Sequence, residues 1–194
     1  SAGAVDFLTA GSGLTITGTT ITASGGGNYI LVESKTVTVD ANSVTFSSLN
    51  GDTDKIYQMV ASIKKPAGDA TNDYKLQPNA GDATRALIMR TVDGATPTAT
   101  VVAYWVVATD VTAGGEVLAN LTIWAAKTIN SVARNRSYSG TGTVQTSTTA
   151  ATVYTIGGLW NESTTNITSL VIIAPVSNNV GNGSFINLYK LTSA

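Results

Sequence analysis

Leu118-Ala119-Asn120-Leu121-Thr122-Ile123-Trp124 alternates along its length: Leu121 and Ile123 share one side, and Asn120, Thr122 and Trp124 share the other. A period of two is that of a strand with one covered and one wet face. The stretch belongs to a longer run, Glu116 to Ile129, with no helical periodicity. Outward from it the same texture recurs in Ile30 to Val39, Ser43 to Leu49, Ile56 to Lys65, Tyr74 to Gln77, Ala86 to Thr91 and Thr98 to Ala108, then in Val132 to Ser139, Ala151 to Leu159, Thr165 to Ala174 and Ser184 to Leu191. Within Ser169 to Pro175 the apolar run is continuous, the pattern of a central strand covered on both sides. Turn clusters separate the runs: Asn50-Gly51-Asp52, Pro66 to Asp69, Pro78 to Asp82, Asp93-Gly94, Ala113 to Gly115, Gly140 to Gly142 and Asn178 to Gly183. Many short strands, roughly eight of them in the core, predict an all-β fold, an antiparallel β-sandwich of jelly-roll type over residues 28–194.

Composition agrees. The 194 residues include 31 Thr, 17 Ser, 14 Asn and 19 Gly, against two Met and three Glu. Thr suits a pleated backbone because its branched Cβ restricts χ1, and Gly and Asn supply the positive φ of tight turns. The chain has no His and no Cys. That removes disulfides, thiolate and imidazole metal sites, and the Ser-His and Cys-His nucleophile pairs, so no enzyme, metal or cofactor is expected. Eleven basic and twelve acidic residues give a net charge of −1, which leaves no basic footprint for nucleic acid. The longest uncharged apolar stretches fall short of the ~20 residues that span a bilayer, so no membrane insertion is expected.

The motifs reduce to ordinary strand and turn chemistry. Five Asn-x-Ser/Thr sequons, at Asn120, Asn135, Asn161, Asn166 and Asn182, follow from the abundance of Thr and Ser. Asn50-Gly51-Asp52-Thr53-Asp54 gathers oxygen atoms but lacks the spacing of a calcium loop, and reads as an Asx turn between strands. The acids sit in turns beside Gly, Asn or Thr, where Asp serves backbone hydrogen bonding. Arg134-Asn135-Arg136-Ser137-Tyr138 puts Arg134, Arg136 and Tyr138 on one side of a strand, expected to be a solvated outer face. Trp105, Trp124 and Trp160 read as core or sheet-edge anchors, and an exposed one could stack on a sugar ring.

Residues 1–27 read as a separate N-terminal arm. Gly13 to Gly18 and Thr19 to Ala23 read as two short alternating strands around a Gly-Thr turn, followed by Gly25-Gly26-Gly27. A lone hairpin is too small to be stable. Val5, Phe7, Leu8, Leu14, Ile16 and Ile21 are therefore the expected partner-binding residues of an attachment and oligomerisation arm, which would hold by strand addition and by multivalency.

Three stretches carry a family resemblance. Leu49-Asn50-Gly51-Asp52-Thr53-Asp54-Lys55-Ile56-Tyr57, then Tyr74-Lys75-Leu76-Gln77-Pro78-Asn79, and the closing Gly183-Ser184-Phe185-Ile186-Asn187-Leu188-Tyr189-Lys190-Leu191 resemble β-sandwich domains of bacteriophage structural proteins. Gly11 to Ile21 resembles small repeats at the N-termini of phage fibre and head-decoration proteins. The resemblance implies a homotrimer at the virion surface, assembled in the host cytoplasm and bound to the major capsid protein or another virion protein. A capsid decoration protein is the leading expectation because only 27 residues precede the domain. A tail-fibre or tail-tip receptor-binding protein is the alternative, as is a carbohydrate-binding module with a host surface glycan as partner. The absence of Cys and the scarcity of Lys and Glu fit close subunit contacts outside a cell.

Overall fold

The computed structural model describes residues 14–17, 20–23, 29–68, 71–81, 86–92, 98–102, 104–129, 132–145, 151–160, 162, 164–174 and 179–191. Among them the strands are β1 (Leu14–Thr17), β2 (Thr20–Ala23), β3 (Tyr29–Thr36), β4 (Ser43–Phe46), β5 (Ile56–Lys64), β6 (Asn72–Pro78), β7 (Ala86–Val92) and β8 (Thr98–Val102). The series continues with β9 (Trp105–Val111), β10 (Glu116–Trp124), β11 (Thr128–Ile129), β12 (Val132–Ala133), β13 (Arg136–Gln145), β14 (Ala151–Trp160), β15 (Leu170–Ile173) and β16 (Phe185–Leu191). One helical turn, α1 (Gly51–Asp54), joins β4 to β5.

Eight of these strands form a long hairpin rolled up on itself. Going out, β3, β4, β5 and β6 meet the returning β16, β15, β10 and β9 in four antiparallel pairs, and successive pairs fall in opposite sheets. Rolling adds the pairs β16 with β5 and β15 with β6. This is the jelly roll, and it is all antiparallel. Two insertions widen one sheet. The β7–β8 hairpin and the β13–β14 pair extend it to the order β3-β16-β5-β10-β13-β14-β7-β8, facing the four-stranded β4-β15-β6-β9.

Alternation explains the register. In β5 the side chains of Tyr57, Met59, Ala61 and Ile63 are buried, and in β10 those of Val117, Ala119, Leu121 and Ile123. Leu121 lies opposite Met59 and Ile123 opposite Tyr57, so sliding either strand by one residue would turn its own apolar row to water. From the small sheet, Phe46, Leu76, Trp105, Leu170 and Ile172 complete a single core. Polar links cross it: Tyr138 Oη accepts from the Val106 N–H at 2.9 Å, and Tyr154 Oη donates to the Thr109 carbonyl at 2.8 Å. Trp105 stacks on Tyr138 with ring centroids 4.7 Å apart. Leu170, Val171 and Ile172 are all buried in β15, between β4 and β6, as the continuous apolar run predicts.

Five sequence expectations are corrected. Gly140 to Gly142 is no turn but the middle of β13. A Cβ at Gly140 would lie 2.1 Å from the Asn120 carbonyl oxygen, so glycine is needed for β13 to approach β10. The run Thr98 to Ala108 is two strands, with β8 at one edge of the large sheet and β9 at one edge of the small sheet. Glu116 to Ile129 likewise breaks after Trp124, and Thr165 to Ala174 keeps only Leu170–Ile173 as strand. The expected turn at Asn50 is a helical turn in which Asn50 Oδ1 accepts from the Thr53 N–H at 3.3 Å.

Candidate functional site

Charged side chains concentrate at the corner where β4 passes into β5, and there they serve the fold. Asp54 accepts from Tyr57 Oη at 2.6 Å and from Lys190 Nζ at 2.9 Å. Burial alone would raise the Asp54 carboxyl, but the Tyr57 hydroxyl, Lys190 and the Asn50 backbone outweigh it and hold it below its ordinary value. Burial, together with the Asp54 charge, pushes the Tyr57 phenol up, so the hydroxyl stays protonated and donates. Asp52 pairs with Lys127 Nζ at 3.1 Å and accepts from the Lys127 N–H at 3.0 Å. Gly51 lets this turn seat against Ala125 and Ile167, since an added Cβ would lie 3.0 Å from each of their Cβ atoms.

Arg136 is the centre of that corner and overturns the expectation of a solvated face. It is fully buried, as is Tyr138 within 2%. The guanidinium donates to the carbonyls of Ala125, Glu162 and Thr165, and lies 3.9 Å from an Asp52 oxygen and 5.4 Å from the Trp160 ring. Burial lowers its pKa, and the charges of Asp52 and Glu162 counter this. The parity argument failed at one point: β13 begins at Arg136, so Arg134 lies outside the ladder and does not share its face. Arg134 is exposed.

Further carboxylates among the described residues are also engaged. Glu162 caps its own loop, accepting from the Thr164 hydroxyl and N–H and the Thr165 N–H, which brings its pKa down to about 2. Glu116 accepts from Ser62 Oγ at 2.6 Å and Asp40 from the Asn182 N–H at 2.7 Å. Among the described residues no three of His, Cys, Asp and Glu come together as a metal-binding group, and no helix is long and apolar enough to cross a membrane.

Two exposed surfaces among the described residues bear on function. The first is the outer face of the large sheet, where Trp124, Ser137 and Leu159 lie in one row across β10, β13 and β14. Arg134, Asn135 and Ala126, from the segment that carries the small β11–β12 pair, wall one side and complete a cleft of about 450 Å³. Trp105 and Trp160 are core residues, but Trp124 is 39% exposed.

The second surface is the open edge of β3. Tyr29, Ile30, Leu31 and Val32 are 36–51% exposed in succession, so both faces of this edge strand are uncovered. Its pairing with β16 skips Val32, leaving a bulge. The continuous apolar run Tyr29 to Val32 was the available sequence signal, because an alternating strand would have hidden one side. Upstream, β1 and β2 form a two-stranded sheet of their own, with Leu14 opposite Ala23 and Ile16 opposite Ile21. Leu14, Ile16 and Ile21 thus lie on the hairpin; Val5, Phe7 and Leu8 fall outside the described residues.

Comparison of the chain with family models, with curated proteins and with solved structures finds no match in any of the three.

Proposed function

We propose that this chain is a non-enzymatic structural protein of a bacteriophage virion, a decoration protein on the head surface that attaches through its N-terminal arm. One observation carries the reading. An apolar, two-faced edge strand directly follows a hairpin with no sheet of its own beyond two strands. Exposed edges of this kind invite pairing with another chain, and short strands gain stability by joining one. A homotrimer would bring three arms and three such edges together, and a capsid protein supplies the remaining partner. The engagement of Asp52, Asp54, Glu116 and Glu162 in structural contacts supports a role without catalysis. Jelly rolls recur in capsid and lectin domains, an analogy of fold that agrees with this reading.

Purified particles lacking the protein provide the test. Full-length chain should bind them and sediment with them, whereas a chain lacking residues 1–24 should keep its β circular dichroism and stay unbound. Unchanged binding by the truncated chain would move the attachment surface onto the sandwich and overturn the proposal. An unfolded truncated chain would make the arm part of the core, with the same consequence.

A further inference from the structure

The cleft at Trp124 has the chemistry of a binding site. In a chain where nearly every charged or amide side chain of the interior is engaged, the side chains of Arg134, Asn135 and Ser137 line this cleft with no hydrogen bond or ion pair within the described residues, although the Arg134 backbone N–H bonds the Lys127 carbonyl. They ring an indole that the alternation of β10 turns outward, beside an exposed Leu159. Among the described residues no carboxylate lines the cleft. An indole face accepts the C–H face of a pyranose ring. An amide and a hydroxyl each donate and accept, which suits sugar hydroxyls, and a free guanidinium matches a carboxylate with two parallel bonds. At about 450 Å³ the cleft falls in the range of small-ligand sites, roughly 300–1,000 Å³. A nucleic acid would need a basic stripe, and among the described residues lining the cleft Arg134 is the one cation.

We propose that this cleft binds an acidic sugar, a pyranose bearing a carboxylate, with its ring stacked on Trp124, its carboxylate held by Arg134 and its hydroxyls by Asn135 and Ser137. The site is independent of the arm and of where on a particle the protein sits. It adds a recognition surface to whatever attachment the arm provides.

The test uses the full chain with galacturonate and glucuronate trisaccharides, and galactose and glucose trisaccharides as neutral counterparts. Because Trp105 and Trp160 are buried, a ligand at the cleft should shift the fluorescence of Trp124, and calorimetry gives the affinity. The acidic trisaccharides should bind about tenfold tighter than the neutral ones, the effect of one charge-assisted bidentate contact. Arg134→Gln should erase that preference and leave the weaker neutral binding. Trp124→Ala should abolish both, with circular dichroism and melting unchanged. Absence of binding at roughly 10 mM trisaccharide, weaker than any useful site, overturns the proposal, as does equal affinity for neutral and acidic probes. If Trp124→Ala instead weakens particle binding while the wild-type chain takes no sugar, the cleft is a protein contact and the proposal falls. Particle binding that fails while sugar binding persists would count against the virion reading alone.

Discussion

Arg134 and Arg136 stand two residues apart, and the molecule uses them in opposite ways. Arg136 opens β13 on its covered side, and its guanidinium ties together the end of β10 and the loop before β15 through three backbone carbonyls. Arg134 precedes the strand and is exposed; its backbone N–H bonds the Lys127 carbonyl at 2.7 Å, but its guanidinium donates to no described group. The same contrast separates Trp160, against which Arg136 packs, from Trp124, beside which Arg134 stands. The lesson is that a sparsely charged chain places ionic groups either as internal ties or as free surface chemistry, and the side of the sheet decides which.

That contrast can be broken by substitution. Arg136→Leu should cost about 3–5 kcal/mol in urea unfolding, because it takes a charged donor away from three carbonyls at once and leaves Asp52 with Lys127 alone. Arg136→Lys should rescue little, since a point charge cannot reach all three. On the same covered side, Gly140→Ala should cost about 3 kcal/mol, its Cβ forcing β13 away from β10, whereas Thr141→Ala on the wet side should change stability by less than about 0.5 kcal/mol. Equal costs for the two would contradict the assigned register.

Asp54→Asn tests the neighbouring tie at about 1–2 kcal/mol at neutral pH. The folded pKa of Asp54 is lowered, so its contribution is fully present above the unfolded value of about 3.9 and is lost as pH falls through the folded value. The gap between wild type and Asp54→Asn should therefore close on acidification below about pH 4, measured by denaturation at each pH. A gap that widens there would reverse the assigned direction. Smallest of all, Arg134→Gln should move stability by less than about 0.5 kcal/mol.

The sequence carried the covered rows well and the corners poorly. Alternation in β5 and β10 identifies Tyr57, Met59, Leu121 and Ile123 as core because one face of each strand meets the opposite sheet. It could not tell that Gly140 and Gly142 lie inside a strand, because glycine marks both turns and close backbone approach and the sequence shows no neighbour. It could not bury Arg136 either. That depends on the carbonyls of Glu162 and Thr165, contributed from 26 and 29 residues further along the chain. The cleft was legible in its parts, Trp124 and Arg134, but their meeting depends on the chain turning back through β11 and β12.

The rolled hairpin also orders events in time. β16, which follows the other described strands in the chain, lies between β3 and β5, which precede most of them. During synthesis the two earlier strands can acquire their shared neighbour only after the strands between β5 and β16 have been made, and until then each presents a bare edge to the cell. Pairing across so much sequence is slow relative to local turns. The growing chain therefore passes through a stage in which the gap awaiting β16 could be filled by a foreign strand, and a chaperone that shields β3 and β5 during that interval would raise the yield of folded protein.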